Sequence, residues 1–366
     1  MSTIINNNAI TKMYKGDTPI YSFSINSGGD INLTNIDITV NGTYTAPDGE
    51  GYKTINVDVP TGGGTAKIDV AATGIKFGNS TFTEIPDVFD FSEVSDYSQM
   101  FSNNSNIASV KVDLSKGWNY SESFSNCLNL KEIDKSIELA TPTEVSYMFN
   151  YCTELIEAPL INLSNVSYVY NLFSYCTNLT TIPQFDFSNV SYIGYLFSYC
   201  NNLTTIPQFD FSNVQVLDSV FLGCSSLTSI PDLITSKVYN MSSCFGSCHS
   251  LTSLPKLDCS SVYEGSSPIG WDDLYNLTEL GGFENLKVNW EYDFLEKTPN
   301  LTVESLMNVI NNLFDWTDYP DGRVPNEYGE WDYGTEHRLM FGQTNLDKLT
   351  SGQIEVAIAK GWTLLA

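Results

Sequence analysis

Eight cysteines and two histidines are the residues of this chain best equipped to ligate a metal or to serve as nucleophile and base. Six of the cysteines, Cys127, Cys152, Cys176, Cys200, Cys224 and Cys248, recur at near-constant intervals, each three residues after a phenylalanine. A residue that returns once per repeat in fixed phase is a packing position, and a reduced cysteine packs as a small hydrophobe. Disulfides, which eight cysteines would suggest in a secreted chain, do not fit that register. Cys244, Cys248, His249 and Cys259 form the one local group of metal-ligating types, and the first two are spaced within the loose zinc range. Cys248 belongs to the packing register, so neither a metal nor a cofactor is expected.

Catalytic patterns are as sparse. His249 and His337 lie far apart in sequence, and there is no Gly-x-Ser-x-Gly elbow, no phosphate-cradling glycine loop and no His-Glu-x-x-His. Acid pairs such as Asp272 and Asp273 keep a glycan hydrolase as an alternative, because that chemistry needs only two well-placed carboxylates. Residues 315–334 stand out differently. They set Trp316, Tyr319, Tyr328, Trp331 and Tyr333 among Asp315, Asp318, Asp321, Glu327, Glu330 and Asp332. One reading is a partner-binding loop whose rings stack on sugars or on partner backbones. The other is a flap that covers the end of a core. The carboxylates at 315, 318 and 321 could also attract Ca²⁺, although their spacing is not that of an EF-hand loop.

The elements that position these residues come from a repeat. The apolar residue opening each Leu-Thr-x-Ile-Pro phrase falls at Phe82, Ile107, Leu130, Leu155, Leu179, Leu203, Leu227, Leu251 and Leu277, in steps of 23 to 26. In the same phase run Phe101, Phe124, Phe149, Phe173, Phe197, Phe221 and Phe245. Phe149 with Cys152, Phe173 with Cys176, Phe197 with Cys200 and Phe221 with Cys224 are the expected core ladder. One copy is too short to cover its own apolar face, so neighbouring copies must stack and share it. The spacing predicts a strand over Leu-Thr-Thr-Ile, with Leu179 and Ile182 inward and Thr180 and Thr181 outward. Pro183, Pro207, Pro231 and Pro255 should end the pairing, since proline offers no N–H. Asp-Phe-Ser-Asn reads as the following turn, where Asp or Asn bonds its own backbone. Strands ~4.8 Å apart would carry about nine coils over roughly 40 Å.

The phrase Met-Phe-x-x-Cys-x-x-Leu-x-x-Ile-Pro with Asp-x-Ser-Asn-Val resembles the BspA-type leucine-rich repeats of bacterial surface proteins, and of phage proteins that carry the same module. That resemblance covers residues 82–280 and implies a solenoid; such repeats serve as binding surfaces of many kinds. Asn-Gly-Thr-Tyr … Gly-Tyr (41–52) and the ending Asn-Leu-Asp-Lys-Leu-Thr-Ser-Gly-Gln … Ala-Lys-Gly-Trp-Thr-Leu resemble segments of phage tail and appendage proteins.

The flanks follow other periods. Over 1–65, a Gly-Asp turn predicts one small hairpin, and Ile36, Ile38 and Val40 with Ile55, Val57 and Val59 predict a second with a long connection. A glycine-rich joint at 61–65 follows, and 66–81 should cover the first coil. Beyond 280, Leu306, Ile310, Leu313 and Phe314 lie on one helical face behind Thr302 as N-cap. Thr350 with Gln353 makes a capping box ahead of Ile354, Ala357 and Ile358, and Lys360-Gly361 supplies the stop. The expected class is β-rich: a leucine-rich-repeat solenoid (66–280) with a small N-terminal β-hairpin domain (1–65) and a helical C-terminal cap (281–366).

Charge narrows the function. Only 16% of residues are charged, yet the net charge is -26. Nucleic acid is excluded as a partner, because phosphate contacts need Lys and Arg, and anionic membrane surfaces are disfavoured. The first residues lack a signal-peptide pattern, and no stretch is long enough to span a bilayer. With the resemblance, this leads to a non-enzymatic phage virion protein, made in the bacterial cytoplasm: a head or tail fibre or appendage. Its N-terminal domain would meet other virion proteins, it would be a homo-oligomer, and its repeats would face a host-surface glycan or protein. The alternative is a bacterial surface adhesin with BspA-type repeats.

Overall fold

The computed structural model describes residues 83, 96–111, 113–134, 142–262, 274–287, 295–319, 322–323 and 336–366 in full, and backbone strands alone within 13–90 and 324–332. The chain forms two compact units, Met1–Phe185 and Asp186–Ala366. It is β-rich, with about nine solenoid turns and, among the described residues, three helices, all in the second unit.

The first unit begins with the strand Met13–Lys15, antiparallel to Thr18–Ser27, which is the predicted first hairpin. The second hairpin is corrected. Gly29–Val40 pairs with Thr18–Ser27 on one side and with Ile75–Gly78 on the other, placing Ile38 opposite Phe77. Val57–Asp58 pairs instead with Ala66–Ile68, which continues in parallel to Phe89–Asp90. Alternation of apolar residues specifies a strand's faces but not its partner, and Ile75-Lys-Phe offers the same alternation as the 55–59 run.

Within the coils, Phe101, Phe124, Phe149 and Phe173 stack in file, with centroids 5.2, 5.5 and 5.4 Å apart and rings within 15° of parallel. Offset or parallel contact of this kind adds about 0.5–1.5 kcal/mol per pair beyond burial. The backbone around each phenylalanine follows a strict alternation. The N–H groups of Tyr147, Phe149 and Tyr151 donate across to Tyr170, Leu172 and Ser174 of the next coil at 2.8, 2.9 and 2.9 Å. Those between, of Met148, Asn150 and Cys152, donate back three residues within their own coil, each at 3.1 Å. To aim alternate amides outward along the stack, the residues two before and two after each phenylalanine adopt positive φ. In this unit they are Gln99, Asn103, Glu122, Asn126, Tyr147, Tyr151, Asn171 and Tyr175, at 52–63°. For a residue other than glycine this costs about 1–2 kcal/mol, and the cross-coil hydrogen bond holds it there.

Each thiol completes the arrangement. The Sγ of Cys127, Cys152 and Cys176 donates to the carbonyl of Phe101, Phe124 and Phe149 in the preceding coil, each at 3.1 Å. The position therefore needs a side chain that is small, apolar and still a weak donor. Asn104, in the same phase of the first described coil, turns its amide to the Phe101 carbonyl at 3.0 Å. Burial pushes the Cys127 thiol up to about 12 and the Cys152 and Cys176 thiols far above their ordinary range. In the coils of Phe101 and Phe124 a second pair, Tyr97 and Tyr120, also stacks at 5.2 Å, and the Tyr120 hydroxyl donates to Leu114 O and accepts from Gly117 N.

The second unit repeats the scheme. Phe197, Phe221 and Phe245 stack at 6.0 and 5.9 Å, and Cys224 and Cys248 donate to Phe197 O and Phe221 O at 3.1 Å. Strand placement needs a correction. Leu179 and Ile182 are buried and Thr180 and Thr181 exposed, as expected. Yet among the described residues the Leu-x-x-Ile phrase pairs as a two-residue strand only in Ser109–Val110 with Glu132–Ile133 and Ser253–Leu254 with Glu279–Leu280. The longer ladder lies two residues past the valine of Ser-Asn-Val, at Tyr192–Gly194 with Val216–Asp218. Pro255 stops the strand before it, and Asp186, Asp210 and Asp258 each accept from the N–H two residues on at 2.9 Å.

Helix Val303–Asn312 is capped by Thr302, whose hydroxyl accepts from Ser305 N. It buries Leu306, Val309 and Ile310, while Ser305 and Asn308 hydrogen-bond the coil backbone at Thr278 and Leu280. Thr350 and Gln353 form the expected capping box on Ser351–Ala359. Of Ile354, Ala357 and Ile358, Ala357 is the buried contact of that helix and Ile358 is exposed. Lys360 spends its charge on the Asn311 and Leu313 carbonyls at 2.7 and 3.0 Å rather than on its own helix.

Two outcomes follow from the ladder. Native protein at pH 8 should leave all eight thiols unmodified by iodoacetamide over hours, and guanidinium should release all eight, as counted by intact mass. Phe173→Ala should lower the unfolding free energy by about 3–5 kcal/mol in a denaturant titration.

Candidate binding face

Outward positions are set by the same turns. Tyr147, Asn150 and Tyr151 all reach the surface of one coil, as do Asn171 and Tyr175 of the next, while Ser174 between them is buried. The rings of Tyr151 and Tyr175 stack at 4.3 Å and 5°, and Tyr170 meets Tyr147 edge-on at 5.4 Å. The strand Tyr168–Tyr170 buries Val169 and leaves Tyr168 61% exposed. The Asn150 Oδ1 and the Ser174 Oγ, each next in sequence to one of these tyrosines, are buried with no hydrogen-bond partner. Thr153 borders the face and donates to Leu128 O at 3.0 Å. Aromatic residues here occupy positions whose backbone favours Asn or Gly.

The aromatic insert behaves differently. Trp316 is buried, stacked face to face on His337 at 3.7 Å and 1°, and close to Trp362 at 6.4 Å. Its ring therefore fills the interior of the second unit and is not offered to a partner. Tyr319 is half-buried against Phe314 at 5.7 Å. Trp331 sits in the strand Gly329–Asp332, opposite Val324 of Arg323–Asn326; its side chain, with Tyr328 and Tyr333, lies outside the described residues. Asp315 accepts from Thr317 N and Oγ1 at 3.0 and 2.6 Å, which holds its carboxyl below the usual range and commits it to its own turn.

Metal-ligating types do not converge. Cys244, Cys248 and Cys259 are buried while His249 is exposed. Among the described residues no group of three or more His, Cys, Asp or Glu could hold a metal ion. Asp272 and Asp273 lie outside those residues.

A family model described as "Mycoplasma protein of unknown function, DUF285" matches residues 77–161 and 143–256. No curated protein matches the chain. Among solved structures, the chain is similar to a leucine rich cell surface protein of Faecalibacterium prausnitzii A2-165. The two are 15% identical over 72% of this chain and 95% of that one, with a TM-score of 0.25. A score that low bears on neither fold nor role. Among the described residues no helix is long and apolar enough to cross a membrane.

His337 gives this region a pH dependence. Its Nδ1 is buried without a partner, and desolvation lowers its pKa from 6.5 to about 4. Between those values the unfolded chain takes up a proton that the folded one refuses, so stability falls as the pH drops from 6.5 and the loss levels off near 4. His337→Phe should flatten that part of a plot of Tm against pH while leaving the value at pH 8 within a few degrees.

Proposed function

We propose that the chain is a non-enzymatic attachment protein of a bacterial surface, with its partner meeting the outward positions of the repeat coils. The observation that carries this is the division of labour within a coil. Inward positions hold nearly the same Phe, Cys, Leu and Ile in every copy, whereas the positions two before and after Phe change freely: Gln99 and Asn103, Glu122 and Asn126, Tyr147 and Tyr151, Asn171 and Tyr175. A scaffold whose interior is fixed and whose exterior is interchangeable suits recognition, because surface identity can change without cost to folding.

The choice of a cell surface over a virion is supported by the family match, whose description names mycoplasmas, which are cellular bacteria. The BspA-type phrase fits either setting. The net charge of -26 disfavours nucleic acid as the partner.

Beads coated with the purified chain should be retained on cultured epithelial cells well above albumin-coated beads, and soluble chain should compete them off. Incubation with cell-surface polysaccharide should release no new reducing ends. Retention equal to albumin would overturn the attachment reading, and steady release of reducing ends would replace it with hydrolysis.

A further inference from the structure

We propose that the tyrosine face of the first unit, formed by Tyr147, Asn150, Tyr151, Tyr168, Tyr170 and Tyr175, is a binding site for an uncharged glycan chain. This deepens the attachment reading and rests on it. The first argument is backbone energetics. Tyr147, Tyr151 and Tyr175 have φ of 58°, 59° and 60°. Bulky residues are genuine outliers there, while Asn and Gly are tolerated. Equivalent places elsewhere hold Asn103, Asn126 and Asn171, as well as Gln99, Glu122, Tyr195 and Tyr199. Asn suits this backbone better, and what the tyrosines return to folding is partial burial and contacts with one another, since Tyr151 remains 38% exposed and Tyr147 and Tyr175 are half-buried. Strain that the fold does not need points to a role outside folding.

The second argument is hydrogen-bonding capacity. Asn150 Oδ1 and Ser174 Oγ lack partners, and Ser174 as a whole is 1% exposed. Buried polar atoms are nearly always satisfied, and an orphan next in sequence to a partly exposed tyrosine can bond a ligand group that parts the rings. Rings that present an apolar face and a phenolic handle, next to an amide and a hydroxyl, match a sugar: apolar C–H faces ringed by hydroxyls.

The third argument is charge. From residue 136 to 236 the sequence contains no Lys, Arg or His. Glu144, Glu154 and Glu157 are the only charged side chains between 142 and 185. Sulfated, phosphorylated and carboxylated glycans are repelled by such a face. Of the three residue types that dominate protein hot spots, Trp, Tyr and Arg, only Tyr occurs between 142 and 185, which favours a glycan over a protein partner.

An array of neutral and anionic oligosaccharides, probed with the labelled full chain, tests this. At least one neutral structure should be retained, and anionic ones should not. The triple variant Tyr147→Asn, Tyr151→Asn, Tyr175→Asn should lose that binding at least tenfold while its Tm stays equal or rises, because Asn suits the backbone better. Tyr168→Ser, outside the strained positions, should weaken binding with an unchanged Tm and serves if the triple variant unfolds. The proposal is overturned if no neutral glycan is retained, if only anionic glycans bind, or if folded variants bind like the parent chain. Coated beads that still attach through the triple variant would sink this site and leave the attachment reading standing.

Discussion

Every coil depends on one parity rule: alternate amides bond within the coil, and the ones between bond to its neighbour. From Tyr147 to Cys152 the rule satisfies each N–H in turn. It leaves little freedom elsewhere. Phenylalanine must fall at an outward-bonding amide so that its ring stacks on the next, and the cysteine three residues on must face the preceding coil's carbonyl. The left-handed residues on either side are the means of changing direction twice in five residues. Removing one cross-coil bond would leave a buried amide unpaired, at about 1–3 kcal/mol, and release a strained residue besides.

The interior was legible because it is written in residue type. Phe, Cys, Leu and Ile return in fixed phase, and side chains buried once per coil must do so. The Asp-x-Ser turns and the Thr302 and Thr350 caps were equally readable, since short-range chemistry decides them. What escaped is decided at long range or by the backbone. Gly29–Val40 chose Ile75–Gly78 over the 55–59 run, a choice that alternation cannot make. The left-handed ladder was hidden because tyrosine occupies positions where Asn or Gly would have announced it. Trp316 looked like a display residue among its acidic neighbours, and only the partner ring of His337, 21 positions away in sequence, shows that it is interior.

Fold and surface chemistry are separable in this molecule to an unusual degree. The charge-poor exterior of the coils relies on Asn, Ser, Thr and Tyr, and many of these groups are already tied to neighbouring coils, as Thr180, Thr228 and Thr252 are to the carbonyl one coil back. The second unit closes with a different logic. Helix Val303–Asn312 reaches the last coil through Ser305 and Asn308, and Lys348 and Lys360 neutralise carbonyls that the irregular segments leave open. These two lysines thus spend their charge on backbone, whereas Lys256 and Arg338 pair with Glu284 and Glu336.

The near-identical segments 172–190 and 196–214 differ only at Thr177 and Asn201. Because the parity of the amides closes on itself once per coil, adding or losing one whole coil, such as the 24 residues from Leu172 to Tyr195, returns the chain to register, whereas a single extra residue inside the turns does not. Unequal crossing-over between the two copies in the gene would therefore lengthen or shorten the protein in steps that still fold. A lineage carrying it can alter how many copies it bears within one replication, long before point mutation could rebuild a core.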